Sequence, residues 1–374
     1  FNSMLYIITH SSLCEQHLVD IMRLVFTFLV MMFHFYSRDK RHFAGGALGV
    51  EFFVILSGYL FYSAWERRHK TLVTLQERRN YWMQYIKKRY IRFFWYSLVA
   101  FVIAFLIVFI WREHLYHPAR IIDRLSGDVW EILLVSMNGL NRGKGLLNAP
   151  AWTLSSMLIV EFLILGMLVY WEELFLYLVM PLSLLCGTGY WANMDTPETA
   201  FMQFTTFATI RVYLLTCFGI LTYKLCEKVK QIHWSKAGEI ILTVAELIGY
   251  SVCVWIACQR SGRNYQFCFI VIMALTISAS FSRKSLAGRY LPANGITDFC
   301  AEFSLSLYLT HRSMLYLFQY IYRDDLNELY RQKFVFIFCA LILALVYTIF
   351  MRGMFKVLPI IKDKIKSVVM QEQI

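Results

Sequence analysis

Long apolar runs separated by short polar stretches dominate the chain from end to end. Each run has the length that an α-helix needs to cross the hydrocarbon core of a bilayer, about 20 residues. No run alternates with a period of two, as the strands of a membrane barrel would. Ten runs are predicted to span the membrane: 18–36, 45–63, 92–111, 152–171, 174–192, 202–223, 238–257, 265–281, 296–319 and 334–351. The pattern therefore predicts an all-α integral membrane protein with about ten transmembrane helices.

The first run carries a polar stripe formed by Arg23 and His34. The ten residues between them are apolar except for Thr27. Eleven helical steps end about 20° beyond three full turns, so both side chains lie on one helix face, about 16 Å apart along the axis. Two interpretations stay open. Either the stripe faces the protein interior, because polar groups are costly in lipid, or Arg23 snorkels to a headgroup and His34 lies at the interface.

Composition supports the membrane assignment and gives it a direction. Of the 374 residues, 58% are hydrophobic and 17% are charged, and the mean hydropathy is +0.51. The net charge of +12 comes mainly from Lys and Arg residues that flank the spans. Positive-inside topology explains these residues, so no nucleic-acid partner is expected. The segments on the same side as the N-terminus carry more Lys and Arg than the opposite segments, which predicts that both termini are cytoplasmic.

The polar segments divide the chain into regions. Residues 1–17 are an N-terminal extension, residues 18–351 are one membrane domain, and residues 352–374 are a basic cytoplasmic tail. Residues 119–137 are charged and amphipathic, which predicts an interfacial helix. The nine cysteines include no C-x-x-C pair, and the histidines form no H-x3-H or H-E-x-x-H pattern. We therefore expect neither a disulfide framework nor a metal site.

Six short sequence patterns follow one another along the chain. They are R-x10-H from Arg23 to His34, GVEFFVILSGYLF on the second span, R-x-x-R at Arg89 and Arg92, WTLSS from Trp152, RVYLLTCFG from Arg211, and SLSLYLTH ending at His311. Each pattern is weak alone. Together and in this order, over roughly residues 18–350, they resemble the acyltransferase-3 family of integral-membrane O-acyltransferases. The chain resembles the stand-alone type, without an appended soluble hydrolase-like domain.

The resemblance implies a reaction and its partners. Members of the family transfer an acyl group, usually acetyl, from cytoplasmic acyl-coenzyme A (acyl-CoA) to a hydroxyl of a carbohydrate or another cell-envelope acceptor. Acyl-CoA is then a donor cosubstrate, and no tightly bound cofactor is expected. The further partners are a glycan acceptor and the lipid bilayer. The location is the cell membrane, in the usual case the plasma membrane of a bacterium. Neither the acceptor nor the oligomeric state follows from these residues.

Three residues are expected to carry the chemistry. His34 is the candidate general base, because an imidazole titrates near neutral pH and can take a proton from a hydroxyl that attacks a thioester. Arg23 is expected to touch the coenzyme arm or to polarise the thioester carbonyl. Glu51 on the second span either orients the imidazole of His34 or pairs with a buried arginine to cancel charge. Both alternatives for Glu51 stay open.

Other residues are candidates for binding the donor or the acceptor. On a helix, Arg89 and Arg92 are neighbours on one face, and with the family pattern they become a candidate phosphate cradle for acyl-CoA. On charge alone they are positive-inside residues. Candidate substrate-binding residues are Trp152, Tyr308, His311 and Arg211. For these residues, aromatic-belt placement, helix–helix hydrogen bonding and charge pairing are the alternatives. The chain departs from the family pattern at Thr153, where many members have Tyr, Phe or Ser, and at Arg312, which follows His311 directly.

Two other classes of protein also fit the span count. A lipid or polysaccharide transporter would explain the buried charges, but it predicts internal repeats and broken helices, which the sequence does not indicate. A membrane glycosyltransferase that uses a lipid-linked sugar would need acidic residues on an early outer loop. Asp39 is the one acidic residue there, among basic neighbours. An acyltransferase is therefore the leading hypothesis, and a transporter is the alternative.

Overall fold

A computed structural model describes residues 17–37, 42–108, 125, 128–135, 147–190, 200–201, 205–259, 263–290, 295–322 and 325–371. The predicted N-terminal extension, Asp39 and most of the predicted interfacial helix lie outside these residues. The described helices are α1 (His17–Phe35), α2 (Gly49–His69), α3 (Leu75–Leu106), α4 (Ala151–Leu174), α5 (Met180–Tyr190), α6 (Phe207–Gln231), α7 (Lys236–Cys258), α8 (Arg263–Ser282), α9 (Leu286–Tyr290), α10 (Gly295–Ile321), α11 (Leu326–Arg331) and α12 (Lys333–Gln371). A 3₁₀ turn, Gly46–Leu48, precedes α2. Strands β1 (Ala200–Phe201) and β2 (Thr205–Thr206) form one short antiparallel pair.

The all-helical membrane architecture predicted from the apolar runs is confirmed. In the described part of the chain, eight helices are long and apolar enough to cross a membrane. Each of the ten predicted spans overlaps a described helix. The spans 152–171 and 174–192 fall in one helical run, while 296–319 corresponds to α10, which is long but more polar than the eight. The exact number of spans and the side on which the termini lie stay predictions.

The run that contains α4 and α5 is interrupted, although the sequence indicated no broken helix. Trp171 has non-helical dihedral angles, φ −143° and ψ 50°, and a π-helical turn at Phe175–Val179 joins α4 to α5. Glu172, the next residue after Trp171, accepts a hydrogen bond of 3.1 Å from the indole of Trp65 on α2. The polar residues that separate the two predicted spans therefore mark a break within one helical run.

Helix α3 begins well before its predicted span, and a local signature explains why. Thr74 and Glu77 form a capping box. The Thr74 hydroxyl accepts from the Glu77 amide at 3.2 Å, and the Glu77 carboxylate accepts from the Thr74 amide at 3.1 Å. This reciprocal pair satisfies two amides that a helix start leaves free. Because the helix starts at Leu75, Arg89 and Arg92 lie in the middle of α3. The predicted span 92–111 had placed them at its beginning.

Helices α2 and α6 make the most extensive helix–helix contact of the described residues, and two glycines make it possible. A Cβ atom on Gly58 would lie 2.6 Å from the carbonyl oxygen of Thr216. A Cβ atom on Gly219 would lie 2.7 Å from the Cα atom of Gly58. Small residues let helix backbones touch in a membrane, where packing replaces the hydrophobic effect as the driving force. The crossing fixes the position of the α2 face that carries Ser57.

Helix α10 runs through the inside of the bundle, against α1, α3 and α12. Its buried polar side chains are Ser304, Ser306, Thr310, His311 and Ser313. Polar groups in a membrane helix face the protein because lipid offers them no partner. Large apolar side chains such as Leu185, Ile241 and Phe334 are exposed on the outside, where lipid would cover them. The bundle therefore has an apolar exterior and a polar element in its interior.

Candidate active site

A cavity of about 250 Å³ lies between α1, α2, α3, α4 and α10. Its apolar lining consists of Val50, Phe53, Leu56, Leu60, Phe93, Leu154, Met157, Ala301 and Leu305, and its polar lining of Arg23, Ser57, Arg89, Arg92, Thr153, Ser304 and Tyr308. Three of the predicted donor-site residues, Arg23, Arg89 and Arg92, thus line one space. Tyr308 lines the same space from α10. The cavity combines a cluster of three cations with an apolar lining.

Two of the three arginines are paired with carboxylates. Arg89 forms a salt bridge through Nε with Glu161 on α4, whose side chain is only 1% exposed. Ser57 links the pair, because its hydroxyl accepts from Arg89 Nη2 at 2.6 Å and donates to Glu161 at 3.1 Å. Arg23 pairs with Asp20 one helical turn away, at 2.9 Å. Three helices are therefore joined at Arg89, which serves a structural role whatever else it binds.

Thr153 and Tyr308 meet across the cavity. Their hydroxyl oxygens lie 3.0 Å apart, and the Thr153 hydroxyl also lies 3.0 Å from the carbonyl oxygen of Pro150. A carbonyl can only accept, so Thr153 donates to Pro150 and accepts from Tyr308. Thr153 is one of the two departures from the family pattern noted in the sequence. In this chain it holds the hydroxyl of Tyr308.

Beyond Tyr308, two histidines stack on each other. His34 on α1 and His311 on α10 have ring centroids 5.3 Å apart and ring planes inclined by 24°. His311 lies one helical turn beyond Tyr308, and their ring centroids are 6.1 Å apart. Arg312, the second departure from the family pattern, places Nη1 3.5 Å from His34 Nδ1. His34 is half-buried and His311 is fully buried.

Polar side chains on two helices thus face one another. Arg23 and His34 lie on one face of α1, and Ser304, Tyr308 and His311 lie along α10. Because Arg23 and Ser304 line the cavity while His34 contacts His311, both helices lead from the arginines to the histidine pair. This arrangement favours the interior-facing interpretation of the Arg23 and His34 stripe over snorkelling.

Glu51 does not contact His34 in the structure. It is fully buried on α2 and forms an ion pair with Arg211 on α6. Of the two alternatives left open by the sequence, the structure therefore favours charge pairing with a buried arginine. The structure shows no contact through which Glu51 would orient the imidazole of His34. The same pairing accounts for the position of Arg211, which does not line the cavity.

Trp152 also lies away from the cavity lining. It is half-buried at the start of α4 and packs against Ala208 on α6. Residues 119–137, predicted as an interfacial helix, are described at residue 125 and at 128–135. There Glu131 is buried and accepts hydrogen bonds from the amides of Leu147 and Asn148, at 2.7 and 2.6 Å. The carboxylate of Glu131 therefore binds backbone amides of the protein.

Sequence reasoning missed the partners that complete the site. Glu161 on α4 pairs with Arg89, a contact that the sequence did not predict. Arg312 was noted as a departure from the family and was given no contact. A signal existed for both residues, since a charge within an apolar helix requires a partner. The identity of the partner depends on which helices are neighbours, and the sequence does not contain that information directly.

The fold and the site define a multi-pass membrane protein with an internal polar cavity that leads to a histidine pair. A family model described as an acyltransferase domain matches residues 17–352, nearly the whole chain. The chain therefore belongs to the acyltransferase-3 family, as its six sequence patterns predicted, and is a membrane acyltransferase. No curated protein and no solved structure matches the chain.

Proposed function

We propose that this acyltransferase moves an acyl group, acetyl in the simplest case, from acyl-CoA to a hydroxyl of a cell-envelope carbohydrate at the plasma membrane. The observation that carries the proposal is the cavity itself, which has three arginines in its lining and a histidine pair just beyond Tyr308. Acyl-CoA has phosphates at one end and a thioester at the other, joined by a thin arm. The cation cluster and the histidines offer one partner for each end.

The donor end of the proposal rests on charge and size. Arg23, Arg89 and Arg92 lie close enough for their charges to interact, which favours binding of an anion between them. Glu161, which neutralises Arg89, is buried, whereas Asp20, which pairs with Arg23, is partly exposed. We therefore assign the larger share of phosphate binding to Arg23 and Arg92. The cavity volume of about 250 Å³ lies below the roughly 300–1,000 Å³ typical of small-molecule sites. It suits the thin arm and the acyl group, with the nucleotide outside.

The acceptor end rests on the histidine pair. In the proposed reaction a histidine takes the proton of the acceptor hydroxyl as the oxygen attacks the thioester carbon. The sequence assigned this role to His34, whose ring stacks on that of His311, so two neighbouring histidines are available for it. The carbohydrate nature of the acceptor is taken from the family resemblance. Trp152 and Arg211 are not assigned to the acceptor here, because neither lines the cavity.

Binding of acetyl-CoA to the purified protein in lipid nanodiscs tests the proposal. Arg92→Ala should weaken binding by about 10- to 100-fold, the equivalent of roughly 1.5–3 kcal/mol for a hydrogen bond to a charged group. Lys88→Ala is the matched control, since Lys88 is an exposed cation on the same helix that does not line the cavity. Absence of binding to the wild-type protein, or equal binding by the two variants, would contradict the proposed donor site.

A further inference from the structure

The two histidines differ in which ring nitrogen carries the proton. His311 places Nδ1 3.1 Å from the carbonyl oxygen of Leu307. A carbonyl only accepts hydrogen bonds, so Nδ1 carries the proton and Nε2 carries the lone pair. Leu307 lies one turn earlier on the same helix, which fixes the ring relative to α10. His311 is therefore held with Nε2 as a hydrogen-bond acceptor.

The acceptor atom of His311 has no partner among the described residues. His311 is 0% exposed, and Nε2 is buried without a hydrogen bond. A buried polar atom without a partner costs about 1–3 kcal/mol, which a hydrogen bond from a bound molecule would recover. A hydroxyl group is the complement that this atom lacks, because it can donate the missing hydrogen bond.

His34 has the opposite polarity. Its Nδ1 faces the guanidinium of Arg312, which can only donate. The lone pair of the neutral ring is therefore at Nδ1, and Nε2 carries the proton. A protonated His34 would also place a second positive charge beside Arg312, which is unfavourable. His34 is thus suited to donate a hydrogen bond and poorly suited to take up a proton.

We propose that His311, and not His34, is the catalytic base of the acyl transfer, and that His34 donates a hydrogen bond from Nε2 to the thioester oxygen. This inference rests on the proposed function and deepens it. The acceptor hydroxyl gives its proton to His311 Nε2 while its oxygen bonds to the thioester carbon. The negative charge that develops on the carbonyl oxygen is stabilised by His34 Nε2–H. Collapse of the intermediate breaks the carbon–sulfur bond, and His311 returns the proton to the leaving thiolate, which departs as free coenzyme A.

Arg312 acts on this step through His34. Its guanidinium keeps the lone pair of His34 on Nδ1, so that Nε2–H stays available as a donor. Arg312 also lies over the ring of Tyr316, 5.1 Å from the ring centroid, which limits its movement. Arg312 is therefore a positioning residue.

A pair of matched glutamine variants separates the two roles. A glutamine side chain can donate an N–H hydrogen bond but cannot take up a proton. Release of thiol from acetyl-CoA is followed in nanodiscs, with water alone and with methyl glucoside as a hydroxyl acceptor. We expect His311→Gln to lose about 10²- to 10⁴-fold in kcat with unchanged affinity for acetyl-CoA. His34→Gln keeps a hydrogen-bond donor, so its loss in kcat should be at least about 10-fold smaller than that of His311→Gln.

A second variant covers the case in which His311→Gln does not fold. His311→Ala leaves a space of the size of the ring. Added imidazole should raise the rate of thiol release by this variant at least about 10-fold, an effect that a purely structural histidine would not show. A larger loss in His34→Gln than in His311→Gln, or equal losses in both, would overturn the assignment. Wild-type protein that binds acetyl-CoA but releases no thiol would overturn it as well. Wild-type protein that does not bind acetyl-CoA would instead overturn the proposed function.

Discussion

The pairing of Glu51 with Arg211 leads to a prediction that separates a structural carboxylate from a catalytic one. Glu51 is fully buried on α2, and the side chain of Arg211 on α6 is 12% exposed. Arg211→Gln would leave a buried carboxylate without its cation. Removing one partner of a buried ion pair typically costs about 3–5 kcal/mol, mainly because the remaining charge is no longer compensated. We expect a loss of that size in the free energy of unfolding.

The double variant Glu51→Gln, Arg211→Gln measures the coupling energy between the two side chains. With both charges removed, no uncompensated charge remains in the bundle, so the double variant should be more stable than Arg211→Gln alone. The coupling energy between the two sites should exceed about 1 kcal/mol, as is found for residues in direct contact. Because Glu51 makes no contact with His34, Glu51→Gln should keep kcat per folded molecule within a few-fold of the wild type.

Two assays check this prediction. Unfolding in mixed micelles of increasing SDS content, followed by tryptophan fluorescence, gives the stability of the wild type, both single variants and the double variant. Thiol release from acetyl-CoA gives kcat. If Glu51 instead oriented His34, Glu51→Gln would lower kcat by up to about 10⁴-fold with little loss of stability, as in a histidine–carboxylate pair. That result, or additive stability changes in the double variant, would contradict a purely structural role for Glu51.

Three further predictions follow from packing and hydrogen bonding. Gly219→Ala forces α2 and α6 apart and should destabilise the protein by about 1–3 kcal/mol in a thermal unfolding assay. Gly353→Ala, which meets open space, should be neutral or stabilising by up to about 1 kcal/mol, and equal effects would contradict the close crossing. Thr153→Val should cost more stability than Tyr308→Phe, about 1–3 against 0.5–1.5 kcal/mol, because it leaves the tyrosine hydroxyl buried without an acceptor. The reverse order of melting temperatures would show that Tyr308 is not the donor. Leu305→Trp fills the cavity and should raise KM for acetyl-CoA at least about 10-fold, whereas an unchanged KM would move the donor elsewhere.

The sequence predicted the helices well because their lengths follow from the bilayer. Apolar runs of span length identify membrane helices without any knowledge of tertiary structure. The sequence also indicates the early start of α3 through the capping box of Thr74 and Glu77, which a prediction from hydropathy alone does not detect. The break at Trp171 carries no glycine or proline at its centre. The two glutamates that follow it indicated a loop, so one interrupted helical run was predicted as two spans.

The candidate site was predictable in its parts and not in its contacts. Helical spacing placed Arg23 with His34, and Tyr308 with His311, on common helix faces. Whether these faces meet depends on which helices are neighbours in the bundle. The spacing of residues along one helix does not show this. For the same reason the partners of Glu51 and Glu161, which are Arg211 and Arg89, became known only from the packing. Pairing across helices is a property of the tertiary fold.

A structure of the full-length protein with bound acetyl-CoA, in lipid nanodiscs, tests the central claim most directly. In that structure the phosphates should lie at Arg23 and Arg92, and the arm should follow the apolar lining past Leu305. The thioester should then lie beside Tyr308, with its carbonyl oxygen toward His34 and its carbon open to a hydroxyl held by His311. Acetyl-CoA bound outside this cavity, or bound with its thioester at the arginines, would contradict the proposed donor site and the roles of His34 and His311.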